Sequence, residues 1–438
     1  MCIRDRLNPA AIAPYVGIFL ICILALWQVA SLYSGLHWDM LDVHLPWLTF
    51  MSEVLQMGEL HYWNPYQELG YPFHADMLST WYPPALITAR FIGFDLIILH
   101  YYYLFHVLVA GIGMHKLSGF FQSDKRIAFI AAICYMLCGV SVSNAQHLFI
   151  ITSLAWLPFV MYYFLKLSNC QFIADALKLS LAMCFMITGG YPFLSVVTIY
   201  LLIILFCFDI FYKYKISKQN ALNTIYYITG SGLVALLLCA PMLIAFTQVV
   251  PVLERGAGLS VETALSNPYT FNAFLFSLVP FAVANNWEYF GSDISMVNIY
   301  GGILIAVFMV YGLFKKARQL EYFFLGFGIF CLLGSFSQEL PLMKWMVVCV
   351  PLFNFFRFPA LLRLFFILGA IIFASRGISN FMNDFEKDKK TLARITAAFA
   401  LWIVVLIMYG LAHIDFENIT FFAAPRYFSN EVNGINCF

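Results

Sequence analysis

Residues 11–47 read AIAPYVGIFLICILALWQVASLYSGLHWDMLDVHLPW, an apolar run that passes directly into a polar and aromatic segment. The run from Ala11 to Leu32 is long enough to cross a bilayer, because a membrane helix needs about 20 apolar residues. It is also longer than a typical signal-peptide core, so we expect a retained first span. Asp39 is the first acidic residue after this span and is predicted to lie outside the hydrocarbon.

The whole chain has the composition of a membrane protein. Of its 438 residues, 62% are hydrophobic and 11% are charged, whereas soluble domains carry about 25% charged residues. The net charge of +1 gives no indication of a nucleic-acid partner. We predict an all-α polytopic membrane protein with a single domain over residues 1–438. About eleven spans are expected, near 11–32, 96–117, 127–143, 148–165, 177–190, 193–212, 224–249, 297–314, 322–337, 360–374 and 392–411.

The distribution of basic residues predicts the orientation of these spans. With a cytoplasmic N-terminus, 18 of the 24 Lys and Arg residues fall on the cytoplasmic side, as the positive-inside rule requires. The other 6 are Arg90, Arg255, Lys344, Arg357, Arg363 and Arg426. The sequence therefore predicts outer segments at 33–94, 251–296 and 338–359, and an extracytoplasmic C-terminus.

The start of the first outer segment contains a possible catalytic group. Asp39 and Asp42 are three residues apart and would share one face of a helical turn. Either carboxylate could accept a proton from an attacking hydroxyl, and the sequence leaves open which one is the base. Together with His44, the two could instead hold a divalent cation such as Mg²⁺ or Mn²⁺. The simpler alternative is that both acids are only solvated.

The rest of this segment combines aromatic and polar residues. Residues 48–60 have the pattern of an amphipathic helix that lies along the membrane interface. Beyond it, we select candidate substrate-binding residues because aromatic rings pack on sugar C–H faces while amides, imidazoles and acids bind hydroxyls. These candidates are Trp63, Asn64, His74, Asp76 and Tyr82, together with His44 before the helix. An ordinary aromatic belt at the membrane interface explains the pattern equally well.

Two arginines and one histidine complete the set of polar candidates. Arg357 and Arg363 are candidates to bind a phosphate group, because the planar guanidinium group can donate two parallel hydrogen bonds to phosphate oxygens. Snorkelling to lipid headgroups is the alternative for both. His147 follows Gln146 at a predicted outer turn, where a structural role is the expectation.

Several short motifs, in this order, resemble the bacterial YfhO-type membrane proteins of the GT-C glycosyltransferase superfamily. The general layout, a first span followed at once by an outer Asp and a long loop, is similar to that superfamily. The matching strings are WDMLDVHLPW (38–47), GELHYWNP (58–65), LGYP (69–72), WLP (156–158), GGYP (189–192) and FRFP (356–359). The first loop and the region of Arg357 are the specific parts of this resemblance.

The resemblance implies a GT-C-like fold in the bacterial cytoplasmic membrane. It also implies a sugar donor on a polyprenyl phosphate and a lipid, glycan or cell-wall polymer as acceptor, with Asp39 as the better match to the catalytic acid and Asp42 as the second. Arg357 would contact the donor phosphate. Members of this family tend to be longer, so a non-catalytic, shortened homologue remains an alternative. A transporter or flippase is another, although the predicted spans carry few charges near their centres.

Overall fold

The computed structural model describes residues 9–76, 80–252, 256, 258–286, 288–413 and 428–429. It is 76% helical, which confirms the predicted all-α class. The helices are α1 (Pro9–Ala25), α2 (Trp27–Ala30), α3 (Leu45–Gln56), α4 (Pro83–Phe91), α5 (Leu96–Phe121), α6 (Lys125–Met136), α7 (Gly139–Ser143), α8 (Leu148–Cys170), α9 (Ile173–Gly189), α10 (Pro192–Ile216), α11 (Lys218–Val249), α12 (Val261–Ala264), α13 (Phe271–Leu275), α14 (Pro280–Asn285), α15 (Ile303–Leu313), α16 (Gln319–Ser335), α17 (Leu342–Cys349), α18 (Arg363–Asn383) and α19 (Phe385–His413). Two-residue strands lie at Gly35–Leu36 and Phe428–Ser429.

Seven helical stretches within the described residues are long and apolar enough to cross a membrane. They are Leu96–Phe121, Lys125–Ser143, Leu148–Cys170, Pro192–Ile216, Lys218–Val249, Pro359–Asn383 and Phe385–Gly410. The other four predicted spans correspond to the shorter helices α1, α9, α15 and α16. These findings support a membrane protein, while the count of eleven spans stays a prediction. Arg255 and Arg426, both predicted to lie on the outer side, fall outside the described residues.

The chain divides into two compact units built from interleaved segments. The first unit comprises Met1–Leu26, Ser118–Asn144 and Gly258–Ser429, and the second comprises Trp27–Leu117, Ala145–Ala257 and Asn430–Phe438. Of the predicted site residues, Arg357 and Arg363 belong to the first unit. All the others belong to the second.

In the first unit, glycines let α18 approach its neighbours closely. A Cβ atom on Gly369 would lie 2.3 Å from the carbonyl oxygen of Phe324 in α16. One on Gly377 would lie 2.2 Å from the carbonyl oxygen of Phe308 in α15. Since any larger residue would force these backbones apart, the packing of three apolar helices depends on small residues, as is common in membranes.

In the second unit, α3 is the amphipathic helix expected in the first outer segment. It buries Leu48, Met51, Ser52 and Leu55. The Ser52 hydroxyl accepts the Phe94 N–H at 2.9 Å, which fixes α3 to the start of α5. The helix ends at Gln56, earlier than predicted, and Gly58 follows with φ +86°, a left-handed conformation that favours glycine and terminates helices.

Candidate functional site

Asp39 lies at a sharp change of backbone direction in the second unit. Trp38 has φ +50°, and a five-residue π-helix, Met40–His44, begins directly after Asp39. A tryptophan whose backbone adopts the left-handed conformation is strained, and such strain is concentrated at functional sites. The turn starts the π-helix because the Trp38 carbonyl accepts the N–H groups of Leu41 and Asp42 at 2.8 and 2.9 Å.

The Asp39 carboxylate lies against the His147 imidazole. Asp39 Oδ2 lies 3.3 Å from His147 Nε2, and the two side chains are 50% and 15% exposed. A carboxylate can only accept, so the imidazole N–H donates. His147 is the residue directly before α8, which fixes its position. The pair therefore combines an accessible carboxylate with a more buried imidazole that orients it, whereas the sequence predicted only a structural role for His147.

His44 lies buried at the start of α8. Its side chain is buried, and its Nε2 accepts the N–H of Leu148 at 3.3 Å. That N–H is one of the donors that the first turn of α8 leaves unpaired. Burial is the main cause that lowers the His44 pKa, His147 adds to the shift and Asp39 opposes it, and the net pKa is about 3. The imidazole is therefore neutral and stabilises the start of α8.

The predicted divalent-cation site does not fit this arrangement. The His44 Nε2 lone pair is already used by a backbone N–H, and Asp42 is exposed. Within the described residues, no group of three or more His, Cys, Asp or Glu side chains is placed to hold a metal ion.

Asn64 and Trp63 lie in a tight reversal of the first outer segment. Asn64 and Tyr71 exchange two backbone hydrogen bonds, both 2.8 Å long. The Asn64 side-chain oxygen accepts the Tyr66 N–H at 3.0 Å, so this amide shapes the turn. Gly70 has φ +118° and packs under the Trp63 indole, where a Cβ atom would lie 2.3 Å from the ring. Trp63 itself is 57% exposed, so its ring keeps a surface on which a ligand could stack.

His74 and Asp76 also form hydrogen bonds within the segment. Asp76 Oδ2 accepts the Tyr71 hydroxyl at 3.0 Å. Burial and the Asp76 charge raise the pKa of this phenol well above its usual range. The Nδ1 of His74 lies 2.8 Å from the Tyr62 carbonyl oxygen, to which it donates. Both side chains thus hold the loop in shape, and neither is placed primarily to bind a sugar hydroxyl.

Tyr82 is fully buried in a hydrogen-bonded chain. Its hydroxyl accepts the Trp156 indole N–H at 2.7 Å and donates to His106 Nε2 at 2.9 Å. His106 in turn donates from Nδ1 to the Tyr102 carbonyl at 2.7 Å. Gly189 packs against the Tyr82 ring, where a Cβ atom would lie 2.6 Å away. Tyr82 is therefore held inside the protein by hydrogen bonds, and the glycine of the GGYP motif allows close packing against its ring.

The two arginines of the first unit differ in accessibility. Arg363 is fully buried and donates to the backbone carbonyls of Ser295, Asn298 and Ala360. With its guanidinium bonded to those oxygens, Arg363 stabilises the loop before α15. Arg357 is exposed, and its guanidinium carbon lies 4.7 Å from the centre of the Phe358 ring. Of this pair, only Arg357 presents a cation to an outside ligand.

Two comparisons with known proteins give no further assignment. No protein-family model matches the chain, and no curated protein matches its sequence. The functional interpretation therefore depends on the residues themselves.

Proposed function

We propose that the protein is a membrane glycosyltransferase. It would move a sugar from a polyprenyl-phosphate donor to a hydroxyl of a lipid, glycan or cell-wall polymer at the extracytoplasmic face. The observation that carries this proposal is the Asp39–His147 pair, a half-exposed carboxylate held by an imidazole shortly after the first helix. The proposed substrates come from the order of motifs in the first outer segment, which resembles the order in YfhO-type proteins.

In the proposed reaction, Asp39 acts as the general base. The acceptor hydroxyl gives its proton to the carboxylate, and the hydroxyl oxygen attacks the anomeric carbon of the sugar. The bond between that carbon and the phosphate oxygen breaks, and polyprenyl phosphate leaves with the electron pair. One direct displacement inverts the anomeric configuration. The carboxylate that would accept this proton is the one that His147 contacts through Oδ2.

His147 is a positioning residue in this scheme. Its N–H fixes the carboxylate in one rotamer, and the imidazole is itself fixed at the N-terminus of α8. A base must lie within hydrogen-bond reach of the proton it removes, so a freely rotating carboxylate would be less effective. Asp42 remains the second candidate base, since it is exposed and close to Asp39 in the chain.

The test is sugar transfer in proteoliposomes that contain a polyprenyl-phosphate sugar, with products followed by mass spectrometry. We expect Asp39→Asn to lower kcat by about 10²- to 10⁴-fold, the usual contribution of a general base. Asp42→Asn tests the second candidate: it should stay close to wild type if Asp39 is the base, and a loss confined to Asp42→Asn would make Asp42 the base instead. His147→Ala should lower kcat with little change in KM, and His147→Gln should restore part of it by supplying another N–H donor.

Full transfer by both the Asp39→Asn and Asp42→Asn variants would rule out this assignment. Movement of a lipid-linked sugar across the vesicle membrane without transfer would favour a flippase instead. Binding of the donor without either event would favour a non-catalytic homologue.

A further inference from the structure

Helix α17 in the first unit is apolar on two opposite faces. One face packs on the protein and buries Met343, Met346 and Val347. The other exposes Trp345 and Val348, which are 70% and 69% accessible. A helix that faced water would carry polar residues there. The exposed face of α17 therefore has the character of a surface that needs an apolar environment.

This apolar surface continues past the end of the helix. Cys349, the last residue of α17, is exposed on the same face, and Leu352, which follows the helix, is 51% exposed. Leu352 has φ +69°, an unfavourable conformation for a branched residue. The backbone there is fixed, because the Asn354 carbonyl accepts the Leu259 N–H at 2.8 Å. We call Trp345, Val348, Cys349 and Leu352 the α17 surface.

Two exposed cations are close in the chain to the residues of the α17 surface. Lys344 is exposed on the helix itself, and Arg357 is exposed a few residues beyond it. Glu339 is the one acidic residue in the sequence of segment 338–359, and its Oε2 accepts the Phe271 N–H at 2.8 Å. Apolar side chains next to cations match the boundary between acyl chains and anionic headgroups.

We propose that the α17 surface lies in the outer leaflet of the membrane, parallel to its plane. Trp345, Val348 and Leu352 contact the upper acyl chains, and Lys344 and Arg357 contact lipid phosphodiesters. Trp345 suits this depth because indole rings prefer the membrane interface. The segment 338–359, predicted from the sequence as the third outer segment, is thus an in-plane membrane anchor. This inference does not depend on glycosyl transfer.

The native Cys349 thiol allows a direct test. A nitroxide is attached to Cys349 in a variant whose other accessible cysteines, including Cys170 and Cys207, are replaced by serine. The protein is reconstituted in nanodiscs of phosphatidylglycerol and phosphatidylethanolamine. We expect relaxation of the label by oxygen, which partitions into lipid, and weak relaxation by a water-soluble nickel chelate. A label at Glu288→Cys, exposed in the second outer segment, is the matched control and should respond mainly to nickel.

Strong nickel accessibility at Cys349 would overturn the proposal, because the surface would then face water. An immobilised label shielded from both reagents would also overturn it, in favour of a protein partner or a second copy of the chain.

The contribution of charge is tested separately. Lys344→Gln/Arg357→Gln should retain several-fold less phosphatidylglycerol in native mass spectrometry than the wild type, with no such difference for phosphatidylcholine. Equal retention of phosphatidylglycerol would show that these two cations do not bind headgroups. Because none of these measurements uses sugar transfer, their failure is distinguishable from failure of the proposed function.

Discussion

The His44 imidazole is almost fully buried, and its Nε2 accepts the first N–H of α8. Only the neutral ring can accept this hydrogen bond, so protonation breaks it and also places a charge in an apolar environment. His147 lowers the pKa of the His44 imidazole, and Asp39 raises it. Consequently, the histidine that stabilises the start of α8 also makes the structure around Asp39 sensitive to acid.

We predict that His44 contributes to unfolding at low pH. Its pKa falls from 6.5 in the unfolded chain to about 3 in the folded protein, so the unfolded chain binds the proton more readily. The stabilisation from the neutral ring is complete above pH 6.5 and is lost as the pH falls towards 3. Thermal unfolding of wild type and His44→Gln in detergent, measured from pH 7 to pH 4, checks this.

The wild type should lose stability more steeply than His44→Gln over this range. His74→Gln, at a partly exposed histidine of the same segment, is the control and should follow the wild type. Parallel pH dependence of wild type and His44→Gln would contradict the prediction.

At the scale of elements, a buried ion pair joins α16 to α18. The Glu321 carboxylate accepts three hydrogen bonds from Arg376, between 2.8 and 3.0 Å long. Glu321 also accepts the Arg318 N–H at 2.7 Å and the Gln122 amide at 3.2 Å. The carboxylate is fully buried, so these donors replace the water it has lost. The Glu321 side chain thus caps the N-terminus of α16 and connects this helix to α18.

We predict that Glu321→Gln destabilises the protein by about 3–5 kcal/mol, because it leaves the Arg376 guanidinium largely buried without its carboxylate. Glu386→Gln, which breaks an exposed pair with Lys389, is the matched control. Its effect should be about 0–1 kcal/mol. The free energy of unfolding in mixed micelles measures both. Similar small losses in the two variants would mean that Glu321 is not the main tie between these helices.

At the scale of the whole molecule, the predicted orientation determines which side of the membrane contains Asp39. Glu59 is exposed in the first outer segment, and Lys218 is exposed at the start of α11, where the sequence predicts the cytoplasmic side. We expect a membrane-impermeant maleimide to label Glu59→Cys in intact cells. It should label Lys218→Cys only after the cells are permeabilised. Both variants are made in a background without the accessible native cysteines.

The reverse labelling pattern would place Asp39 in the cytoplasm, away from the proposed extracytoplasmic reaction. Labelling of both positions in intact cells would indicate a leaky preparation, which the Lys218→Cys variant detects as the internal control. The measurement therefore separates an error of topology from an error of chemistry.

The apolar pattern was enough to predict the class of the protein, because long apolar runs exclude water and must satisfy their backbone hydrogen bonds as helices. The same pattern located α3, since an amphipathic helix depends on residues close in the chain. The contacts of polar side chains were decided only by the tertiary structure. His44 meets Leu148, 104 residues away, and Tyr82 meets Trp156, 74 residues away. The residue type shows that a buried polar side chain needs a hydrogen-bond partner, but only the packing of distant helices supplies that partner. The same packing leaves Asp39 accessible and buries Arg363.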